Sequence, residues 1–88
     1  MMPVDVISVC NADGKIYPLR LRLETYEQGR VPIHIEQILS THESHRVGLE
    51  TQIFWCRATL HRRTVQFELH YAVRKHSWYL IADGTLRQ

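Results

Sequence analysis

His42-Glu43-Ser44-His45 sets two imidazoles and a carboxylate side by side, and two histidines at this spacing can share a metal ion. Zinc sites need three or four ligands. No other cysteine or histidine lies close by in sequence, and His34, near Glu36, would complete the set only if the chain folded back on itself. His42 and His45 are therefore an incomplete metal pair, and 40–46 reads as a solvated loop. Cys10, Cys56, Ser40 and Ser77 are the candidate nucleophiles. Each would need a base within hydrogen-bond reach and an oxyanion donor, and no spacing in the chain supplies them. A pocket of several hundred cubic ångströms is also hard to carve from so small a domain. The reading is a non-enzyme without a cofactor.

A different chemistry is offered by cations and aromatics. His61, Arg62 and Arg63 form one basic cluster and Arg74, Lys75 and His76 another, at opposite ends of the most regular stretch of the chain. Arg20, Arg22 and Arg57, interleaved with Trp55 and Tyr79, have the residue types of a surface that stacks bases and holds phosphates. Acids blunt that field: Glu24, Glu27, Glu36, Glu43, Glu50 and Glu68 are dispersed among them. The formal net charge is only +2, with 11 Lys and Arg against 9 Asp and Glu. Charged hairpin tips also serve solubility and edge protection.

The elements that must position these groups are strands. Residues 64–73, T-V-Q-F-E-L-H-Y-A-V, alternate without a break, the period-two signature of a strand with one buried face. Residues 4–10 and 16–24 flank Asp13-Gly14, a tight-turn signal. A two-residue turn there sets Cys10 against Tyr17, Val6 against Leu21 and Val4 against Leu23, with Tyr17, Leu19, Leu21 and Leu23 inward. Asp5 then meets Arg22 on the outer face. Pro18, which cannot donate, belongs at an edge or a bulge. A third strand begins near Val31. Its phase slips at Ile38-Leu39, and a helix over 32–40 is the competing reading.

A fourth strand over 49–60 puts Phe54, Cys56, Ala58 and Leu60 inward. A four-residue loop 61–64 pairs Leu60 with Val65 and Phe54 with Tyr71, and on the outer face Trp55 with His70 and Arg57 with Glu68. A loop over 74–77 pairs Val73 with Trp78 and Tyr71 with Leu80. The expected fold is all-β, a five- to six-stranded antiparallel sheet curled into a small barrel of SH3-like or OB-like size. One domain spans the 88 residues, ordered from about 3 to 83 with a frayed tail over 84–88. Cys10 and Cys56 fall on inward positions as reduced core residues. The N-terminus lacks signal-peptide character and no run is long and apolar enough for a membrane span, so a cytoplasmic protein without membrane contact is expected.

This register leaves Ile53, Trp55, His70, Tyr79 and Ile81 as an apolar stripe on the side that should be wet. Either the middle segment with Ile33, Ile35, Ile38 and Leu39 folds over it, or a partner does. The favoured function is a protein-interaction module, self-associating or binding another protein through that stripe. The alternative is a nucleic-acid-binding barrel using Arg20, Arg22, Arg57, Arg62 and Arg63.

The motif order V-x-V, I-Y-P-L-R-L, I-x-I-x-x-I-L, I-F-W-C-R, F-E-L-x-Y and S-W-Y-L resembles that of short uncharacterised bacterial proteins over residues 4–80. These are small all-β domains of unknown function. Some with a similar closing W-x-L strand are encoded beside DNA-repair polymerases, so the resemblance implies a tilt toward a DNA-repair accessory role and no catalytic residues.

Overall fold

The computed structural model describes residues 2–26 and 29–81. It contains β1 (Met2–Cys10), β2 (Ile16–Thr25), β3 (Gly29–His34), β4 (Gln37–Ser44), β5 (Thr51–Leu60), β6 (Arg63–Ala72) and β7 (Ser77–Ile81). All seven join one antiparallel sheet in the order β3-β2-β1-β7-β6-β5-β4. No helix occurs among the described residues, and so none long and apolar enough to cross a membrane. The all-β reading stands, and the helix over 32–40 gives way to two strands. The expected frayed tail over 84–88 lies outside the described residues.

The sheet has seven strands rather than five or six because the polar S-T-H-E-S segment is not a loop. It forms β4 by pairing with β5, with Thr41 opposite Phe54 and His42 opposite Ile53. Only one side of an edge strand is paired, so its side chains need little apolar character. The phase slip at Ile38-Leu39 is a bulge, where the register shifts between Ile38 and Ser40.

β3 and β4 are separated in sequence only by Ile35 and Glu36, yet they stand at the two ends of the strand order. The sheet must curl until its ends converge. Ile35 N–H donates to the Leu19 carbonyl (3.0 Å) and Glu36 N–H to the Arg57 carbonyl (2.9 Å), tying the corner to both ends, and β3 touches β5. Among the described residues no ladder joins β3 to β4, so the sheet is not closed. A second opening lies at β1. Met2, Pro3 and Val4 pair with β7, whereas among the described residues Asp5 through Cys10 pair only with β2.

The concave side holds the core: Leu21, Leu23, Ile33, Phe54, Cys56, Ala58, Leu60, Val65, Phe67, Leu69, Trp78 and Leu80. Ile35 and Ile38 pack against it. Phe54 and Trp78 stand with ring centroids 5.6 Å apart, and Tyr71 and Trp78 at 4.8 Å, both tilted contacts that aromatic quadrupoles favour.

Three registers differ from the sequence reading. In the first hairpin Asp5, Val6 and Ile7 meet Arg22, Leu21 and Arg20 as expected. Leu19 then drops out of the ladder, so Cys10 faces Ile16 instead of Tyr17. The bulge reverses the phase, leaving Leu19 49% exposed while Pro18 is buried. Cys10, expected inside, is exposed because it sits where the hairpin runs past the core. In the second hairpin the turn is the two residues His61 and Arg62, both at positive φ (52° and 65°). Leu60 therefore faces Arg63, Phe54 faces Leu69, Trp55 faces Glu68 and Arg57 faces Gln66, a shift of two residues. In the third, residues 73–76 form the turn, pairing Tyr71 with Trp78 and Leu69 with Leu80, and Val73 leaves the core for the surface. A two-residue shift keeps every side chain on its face, so the second and third hairpins kept their core apart from Val73, whereas the first lost Leu19 and Cys10 from it.

Candidate functional site

The convex side of β5, β6 and β7 is built in rows. Ile53, His70 and Tyr79 lie across one row, Trp55, Glu68 and Ile81 across the next, and Thr51, Ala72 and Ser77 across the third. These rows are nearest neighbours on one pleated face, close enough for side chains to touch. All five stripe residues expected from the sequence are there, partly buried rather than open. Of the middle segment, Ile33, Ile35 and Ile38 pack on the concave side and do not cover them, and Leu39 is left 37% exposed.

Over this face residues 45–50 fold back as a turn. Leu49 N–H donates to the Arg46 carbonyl (2.8 Å), and Gly48 takes the positive φ (77°) that the turn requires. Val73 N–H donates to the Glu50 carbonyl (3.1 Å), fastening this turn to the one after β6. Between them lies a cleft of about 470 Å³ with Ile53, His70, Ala72 and Tyr79 on its floor and Arg46, Glu50, Arg74 and Lys75 on its rim. Trp55 and Ile81 extend the floor beyond it.

Polar groups in and around the cleft are largely committed to one another. His70 Nε2 lies 2.8 Å from Glu68 Oε2, and Trp55 Nε1 donates to Gln66 Oε1 (3.0 Å). Arg74 Nη2 donates to Glu50 Oε1 (3.2 Å), while its Nε lies 2.8 Å from Oε2 without being aimed at it. The Glu50 carboxyl is held below its ordinary value chiefly by a hydrogen bond from its own backbone N–H; burial opposes this, and Arg74 and then His45 add further lowering. Arg46 and Lys75 carry no such partner among the described residues, so the rim is left with excess positive charge.

The other sequence candidates do not gather. Arg20 and Arg22 are on the convex side of β2, where Arg22 is bonded to Asp5 at 2.6 Å. Arg57 faces Gln66 and Gln37, Arg62 is in the β5–β6 turn and Arg63 follows it. His42 shares the convex face with its neighbour Ile53, while His45 turns to Glu43, 2.9 Å away, which alternation puts on the other face. Among the described residues no three His, Cys, Asp or Glu side chains converge as metal ligands would. Cys56 is buried and its thiol is pushed up to about 12 by loss of solvation, which removes it as a nucleophile.

The rim is not legible in the sequence because Glu50 and Arg74 are 24 positions apart. The R-V-G-L-E run was the available signal, a glycine turn followed by an acid. Comparison with protein-family models, with curated proteins and with solved structures returned no match.

Proposed function

We propose that this curled sheet, of the size of SH3-like and OB-like barrels, is a non-enzymatic protein-interaction module. Its convex cleft takes a partner segment that has an apolar side chain flanked by acidic residues. One observation carries the reading: an apolar floor of Ile53, Ala72 and Tyr79, uncovered by the chain's own middle segment, inside a rim with Arg46 and Lys75 free. Apolar centres within polar rims are the usual anatomy of interfaces, and Tyr and Trp carry much of their energy.

Trp55→Glu and Ile53→Asp test it. Both side chains lie on the convex side, so the fold persists while capture of the partner falls by tenfold or more, about 1.4 kcal/mol. Arg46→Glu with Lys75→Glu slows association without the same loss at high salt. A nucleic-acid surface would behave otherwise, since oligonucleotide affinity would fall steeply with salt and again on Arg57→Ala or Arg22→Ala. Steep salt dependence with no effect of Trp55→Glu overturns the protein-partner reading.

A further inference from the structure

An antiparallel strand directs the N–H and C=O of alternate residues to opposite neighbours. In β1 the phase is set at Asn11, whose N–H donates to Lys15 (2.9 Å) and whose carbonyl accepts from Gly14 (2.9 Å), both on the β2 side. Counting back along β1, Val9, Ile7 and Asp5 also address β2. Val6, Ser8 and Cys10 address the other side, and β7 reaches β1 only as far as Val4. Among the described residues their backbone groups therefore form an open edge, beside a groove of about 930 Å³ that runs along residues 3–7 toward His76 and Trp78.

Open strand edges pair with other strands unless something blunts them, usually charge or proline. The other open edges here are blunted. By the same alternation Pro32 turns its missing N–H to the free side of β3, where Arg30 and His34 flank it. Pro18 does so on the distal part of β2, and β4 carries His42 and Glu43. The β1 edge, V-I-S-V-C, has neither device. Its convex side chains Ile7 and Val9 are 49% and 44% exposed.

We propose that this edge joins a second copy of the chain, β1 to β1 and antiparallel, about a two-fold axis at Ser8. Symmetry and length select that register. Val6 then meets Cys10 of the second copy and Ser8 meets its own counterpart, exchanging about six backbone hydrogen bonds. A centre at Val6 needs a hydrogen-bonded pair at Val4, which β7 already holds, and one at Cys10 needs a pair at Ala12, beyond the end of β1; the centre at Ser8 keeps its hydrogen-bonded pairs within Val6 to Cys10. The side chains agree with the centre at Ser8. Ile7 packs against Val9 of the second copy on the convex side, and Asp5 falls opposite Asn11, so like charges do not meet. The dimer uses a surface separate from the convex cleft, so it does not rest on the function proposed above.

Light scattering over a concentration series should give twice the monomer mass, and Trp55→Glu should leave it unchanged. Ile7→Lys with Val9→Lys opposes like charges across the axis and should yield a monomer. Ile7→Lys with Val9→Glu, which places the same number of charges on the same exposed positions, opposes unlike charges and should restore the dimer. Ile7→Cys with Val9→Cys in a Cys10→Ser background should form an intermolecular disulfide on mild oxidation. Directly opposed, non-hydrogen-bonded residues stand about 4.5 Å apart at Cα, within disulfide range. Either cysteine alone faces Val9 or Ile7 and should stay free. A wild-type chain that is monomeric at millimolar concentration overturns the proposal. So does a dimer indifferent to the two lysines, or single-cysteine variants that cross-link as readily as the pair.

Discussion

Ser8 stands opposite Pro18, whereas its neighbour Ile7 stands opposite Arg20. The residue omitted between them, Leu19, is put out into solvent, and its carbonyl is free to accept from Ile35 at the corner where the sheet's two ends meet. Leu19 and Leu21, two residues apart, thus have opposite fates. Leu19→Gln should change stability by less than about 0.5 kcal/mol. Leu21→Ala, at a site only 1% exposed, should cost about 2–5 kcal/mol. Urea unfolding of the two variants checks the assignment, and equal losses would contradict the bulge.

The two cysteines should separate in reactivity. Cys10 is exposed and should react with a thiol reagent in the native state, and Cys56 only after unfolding. Burial raises the Cys56 thiol from 9.0 to about 12. Its folded form resists losing a proton that the unfolded chain gives up near pH 9, so its contribution is complete below that pH and is lost as pH rises toward 12. Cys56→Ala should flatten this alkaline loss of stability.

Glu50 gives a test in the opposite direction. Its carboxyl is depressed in the folded chain, so the stabilisation it brings is present above the ordinary carboxylate value and disappears as pH falls through the depressed one. An NMR titration should place its midpoint below that of a free glutamate. Arg74→Ala should move the midpoint upward, but only in part, because the larger cause is the hydrogen bond from Glu50's own N–H.

His61 and Arg62 occupy left-handed backbone without being glycine. Such a turn prefers Asn-Gly. Replacing the pair by Asn-Gly should raise stability by about 1 kcal/mol without altering the pairing of Leu60 with Arg63, as measured by thermal unfolding and amide exchange.

Period-two alternation alone established which residues of β5, β6 and β7 face the core, because the faces of a strand are a local property of the backbone. Phe54, Cys56, Ala58, Leu60, Val65, Phe67, Leu69, Trp78 and Leu80 are buried as that pattern required, and Ile53, Trp55, His70, Tyr79 and Ile81 share the convex side. Cross-strand partners were another matter. A slip of two residues exchanges one apolar neighbour for another on the same face, so the pattern is blind to it. The turn decides, and His61-Arg62 accepted positive φ values that its composition disfavours. Long-range contact settled the remainder: β4 is a strand because it pairs with β5, Cys10 is exposed because no described segment reaches over its end of the hairpin, and Glu50 meets Arg74 because two turns fold together. None of these is a property of a local stretch of chain. Each depends on where a distant segment arrives, which only the curled sheet determines.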